Sequence, residues 1–213
     1  MKKFIILLMT LTLILSFSSI TAYAYENECA IEVNGINFTY DETNDLYISE
    51  PLSSSETVEF YAISNGVSYA EAIKELGFTL NDMSRSGNGQ RILSVNLPVT
   101  NKYIPRLDFY CHTSEGGNFW GIVDIYSIQL VRKYENLVKN FNGDIEVWLR
   151  SPYQIEYIVN GNFYDVGTTT TTAGGNVGVG IGDYVKVGFQ ASSTYATNFY
   201  EYAYFSEIKD FQS

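Results

Sequence analysis

The sequence predicts a mainly β protein, an antiparallel β-sandwich with one short helix over about residues 69–76. Many short segments alternate apolar and polar residues, and the chain has 18 Tyr and 13 Phe but only 4 Pro. Asn-Gly occurs five times, at Asn34, Asn65, Asn88, Asn142 and Asn160. Both residues tolerate the positive φ that two-residue hairpin turns require. Short strands separated by frequent turn signals favour a sandwich or barrel.

Two of these Asn-Gly pairs predict hairpins, because alternating apolar residues flank Asn34-Gly35 and Asn160-Gly161. The same alternation predicts further strands over Thr57–Ile63, Ile92–Val99, Arg106–His112, Asp144–Arg150, Tyr184–Ala191 and Asn198–Ile208. A strand over about Phe119–Val131 is favoured by β-branched residues after an aromatic start, although apolar residues from Gly121 to Phe141 also recur at helical spacing.

The helix over residues 69–76 is predicted from capping residues at its two ends. Ser68 and Glu71 have the spacing of a capping box, and Gly77 stands where a C-terminal cap belongs. Residues 133–141 are either a second helix or coil, because their apolar residues recur at helical spacing.

The first 24 residues predict a secretory signal peptide. Lys2 and Lys3 precede an apolar run, and Ala22-Tyr23-Ala24 forms a small-residue cleavage pattern. The run is shorter than the about 20 apolar residues that span a bilayer. We therefore expect a secreted, extracellular protein without a transmembrane helix in its mature chain. Residues 25–213 then form one β-rich domain, either undivided or split into a smaller N-terminal subdomain over 25–100 and a sandwich over 101–213.

The charge balance narrows the class of partner. The chain carries 13 basic and 24 acidic side chains, and loss of the two signal-peptide lysines would change the formal net charge from −11 to −13. An acidic surface disfavours nucleic acid and anionic lipid, which bind through Lys and Arg. We expect an extracellular glycan or protein as the partner.

Two cysteines, Cys29 and Cys111, remain after the signal. An isolated pair in an exported chain predicts a disulfide, which would contribute about 4 kcal/mol in the chain-entropy model. The alternative is two buried thiols.

No sequence motif indicates catalysis, a metal or a cofactor. His112 is the only histidine, no Gly-x-Ser-x-Gly segment is present, and neighbours such as Cys111 and His112 point to opposite faces of a strand. We expect no catalytic residues, no metal site and no cofactor. A hydrolase that uses two carboxylates remains an alternative, since the sequence alone cannot pair its acidic residues.

Two segments carry the functional hypotheses. Tyr200, Tyr202 and Tyr204 alternate along a strand, where rigid amphipathic rings could bind a glycan or protein. The first hypothesis is therefore a secreted, non-enzymatic binding protein. The second is a membrane-active toxin or bacteriocin-like effector, because residues 168–189 have the alternation of a membrane-spanning β-hairpin. The same alternation is typical of a hairpin that packs on a sandwich core.

Overall fold

The computed structural model describes residues 29–84, 89–117, 119–173, 176–192 and 198–211. Their architecture is an antiparallel sandwich of two sheets with helices on one outer face, which confirms the predicted fold class. The strands are β1 (Cys29–Val33), β2 (Ile36–Asp41), β3 (Leu46–Ser49), β4 (Gln90–Asn96), β5 (Arg106–Gly116), β6 (Phe119–Val131), β7 (Lys133–Tyr134), β8 (Leu137–Val138), β9 (Asn140–Ser151), β10 (Gln154–Tyr164), β11 (Thr169–Ala173), β12 (Asn176–Gly180), β13 (Tyr184–Ala191) and β14 (Phe199–Asp210).

The larger sheet has seven strands in the order β1-β2-β3-β4-β5-β6-β12, and the smaller has five in the order β11-β13-β9-β10-β14. Strands β7 and β8 form a separate two-stranded ribbon. Strand β4 precedes residue 100, where the sequence allows a subdomain boundary, and β5 follows it. The two strands pair along their length, so the larger sheet contains residues from both sides of that position.

Two buried clusters separate the three layers. Leu93 and Phe109 of the larger sheet pack with Ile145 and Val159 of the smaller sheet in the core of the sandwich. The other face of the larger sheet contributes Ile92, Phe38, Tyr110 and Tyr126 to a second core beneath the helices. The central strands of the larger sheet, β4 and β5, are therefore buried on both faces, and they are buried at successive positions rather than at alternate ones.

The predicted helix is confirmed as α2 (Tyr69–Leu76). Its Ser68 and Glu71 form both hydrogen bonds of a capping box, and Gly77 ends it with φ of 72°. A five-residue helix, α3 (Leu80–Ser84), follows.

The predicted strand Thr57–Ile63 is wrong, because these residues belong to helix α1 (Ser54–Asn65). Ser53 and Glu56 form a second capping box at its start. The positions buried along it include 54, 57, 58 and 61, the spacing of one helical face. Its β-branched and aromatic residues raised β propensity, but the cap and the packing on the larger sheet decide the outcome.

Three of the Asn-Gly pairs take three different conformations. Asn34-Gly35 forms the predicted turn between β1 and β2, with φ of 52° and 81°. Gly66 instead ends α1 in the left-handed region. The predicted hairpin at Asn160-Gly161 is wrong, because both residues lie inside β10, opposite Asp144 and Gly143 of β9.

Residues 133–141 are not helical, so the second helix is wrong. They form β7, β8 and the start of β9, with Glu135 at φ of 50° in the turn of the ribbon. Leu137 and Val138 are exposed, whereas Phe141 is buried in the sandwich core. The helical spacing of these residues therefore did not mark a common buried face.

The predicted Cys29–Cys111 disulfide is not confirmed. Cys111 is a free thiol, fully buried in the sandwich core, and the side chain of Cys29 lies outside the described residues. In the ladder, β2, β3 and β4 lie between the strands of these cysteines. Four strand spacings correspond to roughly 19 Å, whereas a disulfide needs Cα atoms within about 7 Å.

Candidate binding surface

The outer face of the five-stranded sheet carries two of the three tyrosines singled out in the sequence. Tyr202 and Tyr204 of β14 are 52% and 56% exposed. Between them Ala203 is buried, and Phe205 packs against the sandwich core. The alternation along β14 therefore directs the two rings to solvent.

Tyr200 does not belong to this exposed row. Phe163 pairs with Glu201 and Tyr164 with Phe199, which leaves Tyr200 as the extra residue of a β-bulge. Its hydroxyl is hydrogen-bonded to that of Thr100 at 3.0 Å. Its ring packs against the core and carries the ammonium of Lys139 4.0 Å from its centre.

Two further aromatic residues lie on the same outer face. Trp148 of β9 and Tyr184 of β13 are register neighbours, with ring centroids 4.7 Å apart and planes at 34°. Val147, Leu149 and Val187 on the opposite face of these strands are fully buried. Tyr184 is 48% exposed. We call Trp148, Tyr184, Tyr202 and Tyr204 together the aromatic face.

Charged groups fill the space between the rings. The ammonium of Lys186 lies 3.0 Å from a carboxylate oxygen of Asp144 and 3.2 Å from one of Glu146. Hydrogen bonds to Asp144, and then to Glu146, raise the pKa of Lys186. Partial loss of solvent and then the charge of Glu146 raise the pKa of Tyr184. Lys186 therefore stays protonated and is shared between two carboxylates.

Polar groups beside the rings add defined hydrogen-bonding positions. The hydroxyl of Tyr202 donates to the side-chain oxygen of Asn160 at 3.0 Å. Arg150 pairs with Glu156 at 2.6 Å and lies over the ring of Trp148, 5.4 Å from its centre. The rings thus stand among carboxylates, an amide and two cations that can donate to or accept from a bound ligand.

The register fixes how far apart Tyr204 and Trp148 are on the face. Tyr204 pairs with Asn160, which pairs with Asp144, four residues before Trp148. Two strand spacings across the sheet and four residues along β9 separate Tyr204 from Trp148 by roughly 16 Å. A ligand that contacts both of these rings must therefore be extended.

Trp148 and Tyr184 were missed as candidate residues in the sequence. The signal was present in the predicted strands, because Val147 and Leu149 alternate with Trp148, and Val185 and Val187 alternate with Lys186 and Tyr184. The sequence alone does not show that β13 pairs with β9, and it is this pairing that brings the two rings together.

The segment over residues 168–189 does not form the expected hairpin. Strand β12 pairs with β6 in the larger sheet, whereas β13 pairs with β9 and β11 in the smaller sheet. Its buried apolar side chains, Val177, Val179, Val187 and Phe189, belong to the sandwich core. The chain crosses between the sheets at Gly182, whose φ is 87°. No helix within the described ranges is long and apolar enough to cross a membrane.

Outside the aromatic face, the one histidine of the chain is paired with a carboxylate. Nδ1 of His112 lies 2.9 Å from a carboxylate oxygen of Asp124, and the imidazole packs on the ring of Tyr126. Asp144 and Glu146 are two residues apart on one strand and share Lys186. Among the residues that the structure describes, no three His, Cys, Asp or Glu side chains are placed to hold a metal ion.

No protein-family model matches the chain, and comparisons with curated proteins and with solved structures likewise find no match.

Proposed function

We propose that the protein is an exported carbohydrate-binding protein and that the aromatic face is its binding surface. The observation that carries this proposal is the placement of four aromatic residues from three strands on the same solvent-facing side of the smaller sheet. Three of these rings, those of Tyr184, Tyr202 and Tyr204, are about half exposed.

The chemistry of a sugar chain fits such a face. A pyranose presents C–H groups on its flat faces and hydroxyls around its edge. The rings of Trp148 and Tyr204 would stack on the C–H groups, because aromatic side chains offer rigid apolar area with little entropy to lose. The carboxylates of Asp144 and Glu156 and the amide of Asn160 would accept hydrogen bonds from the hydroxyls.

The charges on the face favour a neutral glycan over an anionic one. Three carboxylates, Asp144, Glu146 and Glu156, face two cations, Lys186 and Arg150. The chain as a whole has a formal net charge of −11. Polyanionic chains would therefore meet repulsion from the face and from the rest of the protein.

A pull-down with insoluble polysaccharides tests the proposal. The protein should be retained on at least one of cellulose, chitin and xylan, and should not be retained on a sulfated matrix. The double variant Trp148→Ala/Tyr204→Ala should pass through all of them. Tyr69→Ala is the matched control, because Tyr69 is a comparably exposed tyrosine on α2. Retention of the double variant at the wild-type level would reject the aromatic face as the site.

Liposomes separate this proposal from membrane activity. Insertion of the segment over residues 168–189 would require its buried valines and Phe189 to leave the sandwich core. We therefore expect no release of dye from neutral or anionic vesicles at any protein concentration. Dye release that disappears when an engineered disulfide holds β12 against β6 would favour the membrane-active alternative instead.

A further inference from the structure

A small pocket lies on the helix side of the larger sheet, away from the aromatic face. Its volume is about 140 Å³. Ile31 and Val33 of β1, Phe38 of β2 and Tyr47 of β3 form an apolar wall. Helix α1 borders this region, because the guanidinium of Arg106 lies 5.5 Å from the ring centre of Phe60.

The opposite wall is polar and rests on a buried ion pair. Arg106, Ser94 and Asn96 line it. Arg106 donates from Nε and Nη2 to the two carboxylate oxygens of Asp108 at 2.6 and 2.9 Å, and the hydroxyl of Ser94 donates to the same carboxylate at 2.7 Å. Asp108 is 0% exposed.

The ion pair holds the guanidinium in a fixed position. A buried pair contributes little net stability, because desolvation offsets much of the attraction. What it supplies here is orientation, since Asp108 on one side and the Phe60 ring nearby restrict Arg106. Within the described part of the chain, Nη1 of Arg106 has no hydrogen-bond acceptor, and this atom belongs to a residue that lines the pocket.

We propose that this pocket binds a single small ring that carries a neutral oxygen acceptor, such as an aromatic amide. The ring would occupy the apolar wall of Val33 and Phe38, and the oxygen would accept from Arg106. The volume suits this class, because an apolar cavity of about 150 Å³ is known to hold benzene. Asp108 neutralises Arg106, so a carboxylate on the ligand would find no net positive charge.

Ligand-observed NMR with three matched probes tests this inference on the full chain. Benzamide should bind more tightly than toluene, which lacks the acceptor, and more tightly than benzoate, which adds a negative charge. Arg106→Lys keeps the positive charge beside Asp108 but loses the planar guanidinium, which can donate to Asp108 and to a ligand at the same time. It should weaken benzamide binding about tenfold, the effect of one charge-assisted hydrogen bond, and leave toluene binding unchanged.

A second variant keeps the test valid if Arg106→Lys fails to fold. Val33 is half-buried on β1, an edge strand of the larger sheet, so Val33→Phe should fold and fill the pocket. It should abolish binding of benzamide and toluene, whereas Trp148→Ala should change neither. Benzamide binding no tighter than that of toluene, tighter binding of benzoate, or full binding to Val33→Phe would each overturn the inference. The Trp148→Ala control separates this outcome from failure of the carbohydrate site.

Discussion

Tyr200 lies edge-on to Tyr103, with ring centroids 5.7 Å apart and planes at 84°, although the tyrosines that follow it in β14 face solvent. Tyr103 is fully buried, and its own hydroxyl donates to the backbone oxygen of Arg132 at 2.8 Å. The bulge in β14 thus assigns Tyr200 to the core and leaves Tyr202 and Tyr204 exposed on the aromatic face.

This division predicts that truncating Tyr200 destabilises the fold more than truncating Tyr204. Tyr200→Ala should lower the free energy of unfolding by about 2–3 kcal/mol, because it removes the edge contact, the contact with Lys139 and a hydrogen bond. Tyr204→Ala should lower it by less than about 1 kcal/mol. Urea denaturation checks both values. Equal losses for the two variants would show that Tyr200 is not a core residue.

The paired glycines of β9 and β10 predict a severe effect of one methyl group. A Cβ at Gly161 would lie 2.5 Å from the backbone oxygen of Asn142 and 2.7 Å from the ring of Phe141. Gly161→Ala should therefore destabilise the fold by about 3 kcal/mol, as expected for overpacking. Gly178→Ala is the control, because a Cβ there meets nothing within 4 Å. Thermal unfolding should distinguish them, and a Gly161→Ala variant as stable as the control would contradict the pairing.

The hydroxyl of Tyr110 is, among the described side chains, the one buried polar atom without a hydrogen-bond partner. Tyr110→Phe should therefore leave stability unchanged or raise it, because the hydroxyl is desolvated without compensation. Tyr126→Phe is the comparison. It removes a hydrogen bond of 2.8 Å to Gln90 and should cost about 1–2 kcal/mol. A loss on Tyr110→Phe as large as that on Tyr126→Phe would reveal a partner for the Tyr110 hydroxyl.

Cys111 should be chemically inert in the folded protein. Burial, and then the charge of Asp124, raise the pKa of its thiol well above the usual value. We expect no reaction with iodoacetamide at pH 8 until denaturant is added, since the thiolate is the reactive form. Reducing agent should leave the melting temperature unchanged. A drop in melting temperature on reduction, with a gain of two hydrogens in the intact mass, would restore the disulfide with Cys29.

The parts of the fold that the sequence predicted well are those with a local cause. The capping box of Ser68 and Glu71 and the Asn34-Gly35 turn depend on a few neighbouring residues, and both are confirmed. Strand β6 has the predicted bounds because its β-branched residues other than Val123 are buried between layers. The hairpin predicted from the local Asn160-Gly161 pair was wrong, because contacts with the Phe141 ring and the facing Gly143 of β9 keep these residues in an extended strand.

The candidate site was only half predictable for the same reason. Alternation alone places Tyr202, Tyr204, Trp148 and Tyr184 on outward positions of their strands. Which strands become neighbours depends on a sheet order that mixes distant segments, with β13 beside β9 and β14 beside β10. The bulge that removes Tyr200 depends on the register between Phe163 and Tyr164, which no pattern in β14 alone reveals.

Isothermal titration calorimetry with hexasaccharides of cellulose, chitin and xylan tests the carbohydrate proposal most directly. At least one should bind, and Trp148→Ala and Tyr204→Ala should each weaken its affinity at least tenfold, because stacked aromatic residues dominate such interfaces. The corresponding disaccharide should be affected by only one of these variants, since the two rings are roughly 16 Å apart. Tyr69→Ala should bind as the wild type does. A hexasaccharide that binds both aromatic-face variants with wild-type affinity, or an absence of binding to all three sugars, would contradict the proposal.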